Sequence, residues 1–232
     1  MKQVIAIGGG GFGREIKELK IEKYIVDQSN KKNPSICFIP TATGDDSHYI
    51  ENFYKAFDSL GCKTSHIDFF KRTINLEKHI DDQDIIFVGG GNTKSMLAVW
   101  REWKLDKILY KAYIKGTIMS GVSAGAICWF ERGITDSWAS ELKVLDCLGV
   151  LKGVCCPHYD GEKDRRPSVE AFLKNKIIEQ SLCIEDGAAA HFENGSLKTA
   201  ISFYKSKKKN VFNVSYNEKL IEKPLNSIDI FK

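Results

Sequence analysis

Gly121-Val122-Ser123-Ala124-Gly125 places a serine between two apolar runs, Thr117-Ile118-Met119 before it and Ala124-Gly125-Ala126-Ile127-Cys128-Trp129-Phe130 across and after it. The first run reads as a short buried strand and the second as the start of a helix, so the serine falls on a sharp strand-to-helix turn. A G-x-S-x-G turn, or nucleophile elbow, needs small residues on both sides of the serine. Its backbone is strained, and neighbouring atoms come close to the hydroxyl. Such a turn lifts the oxygen clear of the sheet and aims the following N–H groups at a developing oxyanion. The same five residues also satisfy a plain Gly-rich packing turn, so the surrounding chain has to decide between the two.

Upstream of the serine, short apolar runs alternate with helical patterns. Strands are expected at Val4-Ile5-Ala6-Ile7, Ile36-Cys37-Phe38-Ile39, Ile85-Ile86-Phe87-Val88 and Thr117-Ile118-Met119, with a weaker one at His66-Ile67-Asp68-Phe69. Helices are expected near 12–24, 47–60, 73–80 and 93–114, the last as one helix or two. The runs are continuously apolar rather than alternating, as in parallel strands covered on both faces by helices. After residue 181 the pattern changes to short strands at 188–192, 197–204 and 211–216. Glu193-Asn194-Gly195-Ser196 joins the first two as a hairpin signal. The fold class is therefore α/β, a mostly parallel central sheet with helices on both faces and a C-terminal antiparallel extension, organised as one domain over residues 1–232.

Composition narrows the function. The 232 residues are 43% hydrophobic, and 34 basic against 30 acidic residues leave a formal charge of +4. That charge is too mild to point to nucleic acid. The basic run Lys205 to Lys209 reads as a solvated hairpin loop. Seven cysteines are an odd number, with no C-x-x-C pair, and resemble neither a zinc site nor a disulfide framework. Cys155 and Cys156 are adjacent in a strand and should face opposite ways. The N-terminus runs straight into an apolar strand and then glycines, and no apolar run approaches a membrane span, so the chain reads as cytoplasmic.

Two further glycine clusters end strands. Gly8 to Gly11, followed by Phe12-Gly13-Arg14-Glu15, invites a dinucleotide-binding reading. No acidic residue ends the second strand to hold a ribose, so a tight loop bordering the cleft is the better reading. Gly89-Gly90-Gly91-Asn92-Thr93 repeats the design after its own strand, with amides available as oxyanion donors and Asn92 or Thr93 as the cap of the next helix. Among the histidines, His48, His66 and His79 fall on helix or strand surface patterns, and His191 suits a structural place inside a strand. His158 differs. It follows the apolar strand ending Val154-Cys155-Cys156-Pro157, where an open α/β sheet gathers its catalytic groups. Imidazole titrates near neutrality and suits the base that takes a serine proton.

These residues together resemble the peptidase E (aspartyl dipeptidase) family of serine peptidases. The resemblance rests on Gly89-Gly90-Gly91-Asn92-Thr93, Gly121-Val122-Ser123-Ala124-Gly125-Ala126 and Pro157-His158-Tyr159, and extends to Glu185-Asp186-Gly187. It implies a three-layer fold akin to class I glutamine amidotransferases and flavodoxins, with serine in place of their nucleophilic cysteine. It also implies Ser123 as nucleophile, His158 as base, and an oxyanion hole from the amides of Ala124 and Gly91 (or Gly90). The family's glutamate falls on Asp186, one methylene shorter, with Glu185 one place earlier. Neighbours in an extended segment face opposite ways, so only one of the two can reach His158. Asp136 is the second candidate for the acid and Asp160 the third. Arg165 and Arg166, in the loop after His158, are the candidates to meet a substrate carboxylate, and Asn92 is a further substrate-binding candidate.

The expected function is a serine exopeptidase that hydrolyses short peptides, dipeptides with an N-terminal Asp above all, through an acyl-enzyme. It should need no metal or nucleotide cofactor, engage no nucleic acid or membrane, and act as a monomer or homodimer on its small peptide substrate. Two alternatives remain open: a serine amidase or esterase of the same fold acting on a non-peptide or cyanophycin-like substrate, and a catalytically inactive protein that binds a small ligand.

Overall fold

Strand β1 (Gln3–Ile7) lies inside the larger of two sheets, parallel to β5 (Ile118–Val122) on one side and antiparallel to β10 (Ala188–Glu193) on the other. Past β5 the sheet continues in parallel through β4 (Ile85–Val88), β2 (Ser35–Ile39) and β3 (Lys63–His66). Past β10 it adds β11 (Ser196–Ser202) and β14 (Ser227–Asp229), giving the order β14-β11-β10-β1-β5-β4-β2-β3. The computed structural model describes residues 1–14, 18–204 and 208–229.

The continuous apolar character of the parallel strands has a direct cause. Successive side chains leave a strand on opposite faces, and here both faces are covered. Ile5, Ile7, Ile36, Phe38, Ile85 and Phe87 pack under α1 (Lys20–Asp27) and α2 (Ser47–Ser59). Val4, Ala6, Cys37, Ile39, Ile86 and Val88 belong to the opposite face, with α3 (Leu76–Asp81), α4 (Thr93–Glu102) and α5 (Leu105–Lys115). The architecture is α/β, mostly parallel at its centre with helices on both faces. The Asn194-Gly195 hairpin forms between β10 and β11, with both residues left-handed (φ 51° and 83°), as a two-residue hairpin turn requires.

The late strands pair antiparallel, as expected, but are divided between two sheets. The first two late strands, β10 and β11, join the larger sheet. The third, β12 (Val211–Asn217), belongs to a second sheet of six strands. Its other members are β6 (Phe130–Trp138), β7 (Glu141–Asp146), β8 (Leu151–Cys156), β9 (Gln180–Ile184) and β13 (Lys219–Pro224), in the order β13-β12-β9-β8-β6-β7. One face of it shares the core of the larger sheet through Phe130, Leu151 and Cys155, and the other carries α7 (Arg165–Lys174) over Ile134, Val154 and Cys156. Cys155 and Cys156 thus do face opposite ways.

Four local expectations change. The helix expected over 12–24 begins only at Lys20. Phe12 turns out of any helical register into a ring cluster with Phe38, Phe53, Phe57 and Phe87, and its N–H donates to the Glu22 carboxylate at 2.7 Å; residues 15–17 lie outside the described residues. The run after Ser123 makes a single turn, α6 (Ala124–Ile127), before the chain enters β6, because Phe130 and Ile134 are needed in the second sheet. The 93–114 segment, expected as one helix or two, is two, split at Lys104 in a left-handed conformation (φ 57°), and so is no change. The strand expected at 66–69 lies earlier, at 63–66. Of the basic run, residues 205–207 lie outside the described residues, and Lys209 is not solvated but ion-paired with Asp160.

Candidate active site

Ser123 sits where β5 ends, with φ 55° and ψ −111°. A non-glycine residue in that region carries strain of about 1–3 kcal/mol, and the surrounding contacts hold it there. Its N–H donates to Ile7 O at 3.0 Å, tying the turn to β1. Both flanking glycines are required by the neighbouring strand. A Cβ on Gly121 would lie 2.7 Å from Val88 O, and one on Gly125 would lie 2.6 Å from the Val88 carbonyl carbon, so β4 presses directly on the elbow.

The loop after β4 closes in from the side. Gly91 has φ 133°, and a Cβ there would lie 2.6 Å from the Ala42 carbonyl carbon. Gly90 is close enough that its Cβ would stand 3.3 Å from that of Ser123 and 3.8 Å from Oγ. Among the described residues, neither the Gly90 nor the Gly91 N–H donates to a backbone carbonyl. The Ala124 N–H belongs to the first turn of α6, where helix amides have no internal partner. Asn92 caps α4, its Oδ1 accepting from Ser95 N–H at 2.9 Å, and its Nδ2 donates to Ser137 O at 3.2 Å. It does not line the cavity described below.

His158 and Asp186 follow β8 and β9, neighbouring parallel strands. His158 Nδ1 and Asp186 Oδ1 are 2.6 Å apart, with the imidazole buried. Burial alone would raise the Asp186 pKa, but the hydrogen bond and charge of His158, joined by Arg14, hold it down at about 2. The carboxylate is therefore ionised, and Nδ1 must carry the proton it accepts, leaving Nε2 as the basic nitrogen. Glu185 points elsewhere: its Oε2 accepts from Asn210 N–H at 2.8 Å, and Oε1 is 4.0 Å from Arg166. Asp160 Oδ1 accepts the Asp186 N–H at 2.9 Å, supporting that residue from behind.

Ser123 and His158 line one cavity of about 490 Å³, together with Gly90, Gly91 and the residues after β1 and β2. All these groups come from the carboxyl ends of parallel strands, where open α/β sheets bind ligands. No direct hydrogen bond joins Ser123 to His158 among those of the described residues. Catalytic hydrogen bonds in unliganded enzymes are often long and tighten with substrate.

Other candidates lie apart from this cavity. Asp136 is exposed, 3.5 Å from Arg165, in a separate groove with Trp138 and Glu162. Arg165 is buried. Its Nε donates to Glu162 at 2.6 Å and one terminal nitrogen to Ile134 O at 2.9 Å, so it pins α7 to β6. Arg166 stacks on the Tyr159 ring at 4.8 Å and pairs with Glu222 at 3.4 Å. Of the remaining histidines, His66 bonds Tyr54 and His79 bonds Ser65, whereas His48 lines the Ser123 cavity.

Sequence reasoning expected the loop after β1 to border the cleft but gave no role to three groups at or beside this cavity. Arg14 donates to Asp186 Oδ2 at 2.8 Å. Tyr49 closes the wall between Gly13 and Gly89; burial raises its phenol to about 12, with the Gly90 amide acting in the opposite direction. Gly9 lies against the His158–Asp186 pair, where a Cβ would overlap Asp186 Oδ1 and come within 2.7 Å of His158 Nδ1. The signal for two of them was the glycine cluster after β1, which serves as a cavity wall.

The sequence profile of Peptidase family S51 matches residues 4–200. The chain belongs to that family. It is 49% identical over 203 residues to the uncharacterized peptidase YgaJ of Bacillus subtilis strain 168, an alignment that covers 87% of this chain and 88% of the relative. A second relative, the uncharacterized peptidase Lmo0363 of Listeria monocytogenes, is 28% identical over 142 residues, which is 57% of this chain and 69% of that protein. Among solved structures, one from Listeria monocytogenes EGD-e named for peptidase E superposes with a TM-score of 0.64 at 21% identity, covering 85% of this chain and 96% of the other. A peptidase from an acI-B1 Actinobacterium gives 0.66 at 16% identity, covering 98% and 95%. At these identities the structures establish the fold. The family establishes a peptidase, and the peptidase E resemblance holds. No helix among the described residues is long and apolar enough to cross a membrane.

Proposed function

We propose that this S51 peptidase is a cytoplasmic serine exopeptidase that cleaves short peptides, dipeptides with an N-terminal acidic residue foremost, through an acyl-enzyme. The observation that carries the reading is the 2.6 Å bond between His158 and Asp186 at the rim of the cavity that Ser123 enters from a strained elbow.

In this mechanism Ser123 Oγ attacks the peptide carbonyl while His158 Nε2 takes its proton. Asp186 keeps Nδ1–H in place and stabilises the imidazolium that forms. The tetrahedral oxyanion faces the amides of Ala124 and of Gly91 or Gly90, since fixed backbone dipoles aimed at developing charge stabilise it. Collapse transfers the proton from His158 to the leaving amine. Water, activated by the same imidazole, then releases the acyl group. Asp186 is the acid of choice because Asp136, Glu185 and Asp160 are engaged elsewhere. A cavity of about 490 Å³ is of small-molecule size, which favours short peptides over a polymeric substrate.

The test is hydrolysis of a mixed dipeptide library by the wild type and by Ser123→Ala, read by mass spectrometry. Loss of dipeptides, aspartyl ones first, that depends on Ser123 supports the reading. Hydrolysis that survives Ser123→Ala overturns the mechanism, and wild-type inertness toward every dipeptide moves the reading to a non-peptide amidase or a binding protein.

A further inference from the structure

Among the described residues lining the Ser123 cavity, Arg14 is the only permanent cation. One terminal nitrogen donates to Asp186 Oδ2 at 2.8 Å, while Oδ1 of the same carboxylate takes His158 at 2.6 Å. A guanidinium has five N–H donors in a planar fork suited to carboxylates. The Asp186 bond uses one of them, and the Arg14 side chain is 58% exposed, so most of the fork stands open at the cavity.

The loop that presents Arg14 is built to hold its shape. Gly10 and Gly11 take left-handed φ values of 108° and 80°, and Arg14 N–H closes a turn onto Gly11 O at 2.9 Å. Beneath it the buried Glu22 accepts the Phe12 N–H at 2.7 Å. An ordinary exposed ion pair would contribute little. This one differs because its carboxylate is shared with the catalytic imidazole, and because Arg165 and Arg166 are committed to other partners away from the cavity.

We propose that Arg14 receives a carboxylate of the bound peptide on the open part of its fork and couples that contact, through Asp186, to the His158–Asp186 pair. The inference rests on the serine-peptidase reading above. The carboxylate is either an acidic side chain or the free C-terminus of the peptide; the chemistry recognised is the same.

Four probes separate the sources: alanyl-alanine, aspartyl-alanine and the C-terminal amide of each. Their binding is measured by calorimetry on Ser123→Ala protein, which does not turn them over. Probes that bear the recognised carboxylate should bind about 10- to 100-fold tighter than alanyl-alanine amide, the range of a hydrogen bond to a charged group. Adding Arg14→Gln should erase that difference, and Arg14→Lys should restore part of it. A preference that follows the aspartyl group assigns the side chain; one that follows the free acid assigns the C-terminus. In kinetics with Ser123 intact, carboxylate-bearing substrates should show both lower KM and higher kcat than their counterparts, and Arg14→Gln should remove both advantages. Equal binding of all four probes, no binding of any, or a preference unchanged by Arg14→Gln overturns the proposal. Failure of the peptidase reading registers separately, as hydrolysis that is absent or indifferent to Ser123→Ala while the calorimetry still sorts the probes.

Discussion

His158 and His191 are both buried, and each has Nδ1 in a short hydrogen bond, yet one partner is a carboxylate and the other a neutral phenol. Nδ1 of His158 meets an ionised carboxylate at 2.6 Å and the ring borders a cavity. His191 lies inside β10 with neutral partners on both nitrogens. Gln3 Oε1 can only accept, so Nε2 carries the proton at 3.0 Å, and Tyr24 O–H donates to Nδ1 at 2.8 Å. Burial, helped by the positive charge of Lys198 and opposed by Glu193, lowers the His191 pKa to about 4. The neutral cage rejects an imidazolium at His191, whereas the carboxylate beside His158 fixes which ring nitrogen carries the proton. The same side chain is thus a candidate base in one strand end and a structural polar group in another strand.

The sharpest way to break this contrast is to neutralise the carboxylate. Asp186→Asn should lower kcat by about 10³–10⁴-fold, as expected when the imidazole loses the partner that fixes its tautomer, while the unfolding midpoint stays near that of the wild type. Gly9→Ala should act on the same pair from the backbone side. The new Cβ overlaps Asp186 Oδ1, so peptide hydrolysis should drop by at least about tenfold, as a misplacement near the chemistry does; unchanged turnover would show that the pair does not have to stand where it does. Tyr24→Phe should do the reverse. It leaves His191 Nδ1 without its donor, costing about 1–3 kcal/mol in denaturant unfolding, with hydrolysis unaltered.

The pH dependence bears on stability alone and is the smallest effect expected on hydrolysis. The unfolded chain protonates His191 below its ordinary 6.5, while the folded protein keeps it neutral down to about 4. The unfolded state binds more protons in that window, so the stability present above pH 6.5 is lost progressively as pH falls toward 4. Asp186 acts further down: its carboxylate, ordinarily at 3.8, is held at about 2, and its contribution fades between those values. Urea titrations from pH 7 to pH 4 should show a falling midpoint, with a shallower fall in His191→Phe.

Periodicity and composition carried the parallel strands, because a strand buried on both faces must be continuously apolar, as Ile36-Cys37-Phe38-Ile39 is. The elbow, the Asn194-Gly195 turn and the His158 strand end were legible for similarly local reasons. What stayed hidden depends on distant partners. Phe12 abandons the helical pattern because rings from α2 and β2 and β4 receive it. Phe130 leaves the helix pattern for a sheet whose other strands come from 141 onward. Arg165 looks like a free cation in sequence, but Ile134 O and Glu162 take it, while Arg14, quoted only as the end of a glycine cluster, faces the cavity.

The most direct measurement of the central claim, that His158 and Asp186 activate Ser123, is reaction with a phosphonylating serine reagent followed by intact mass and peptide mapping. A single adduct is expected on Ser123, absent in Ser123→Ala and His158→Ala and slowed by orders of magnitude in Asp186→Asn. No adduct, an adduct on another residue, or labelling of Ser123 at the wild-type rate in both His158→Ala and Asp186→Asn would contradict that claim.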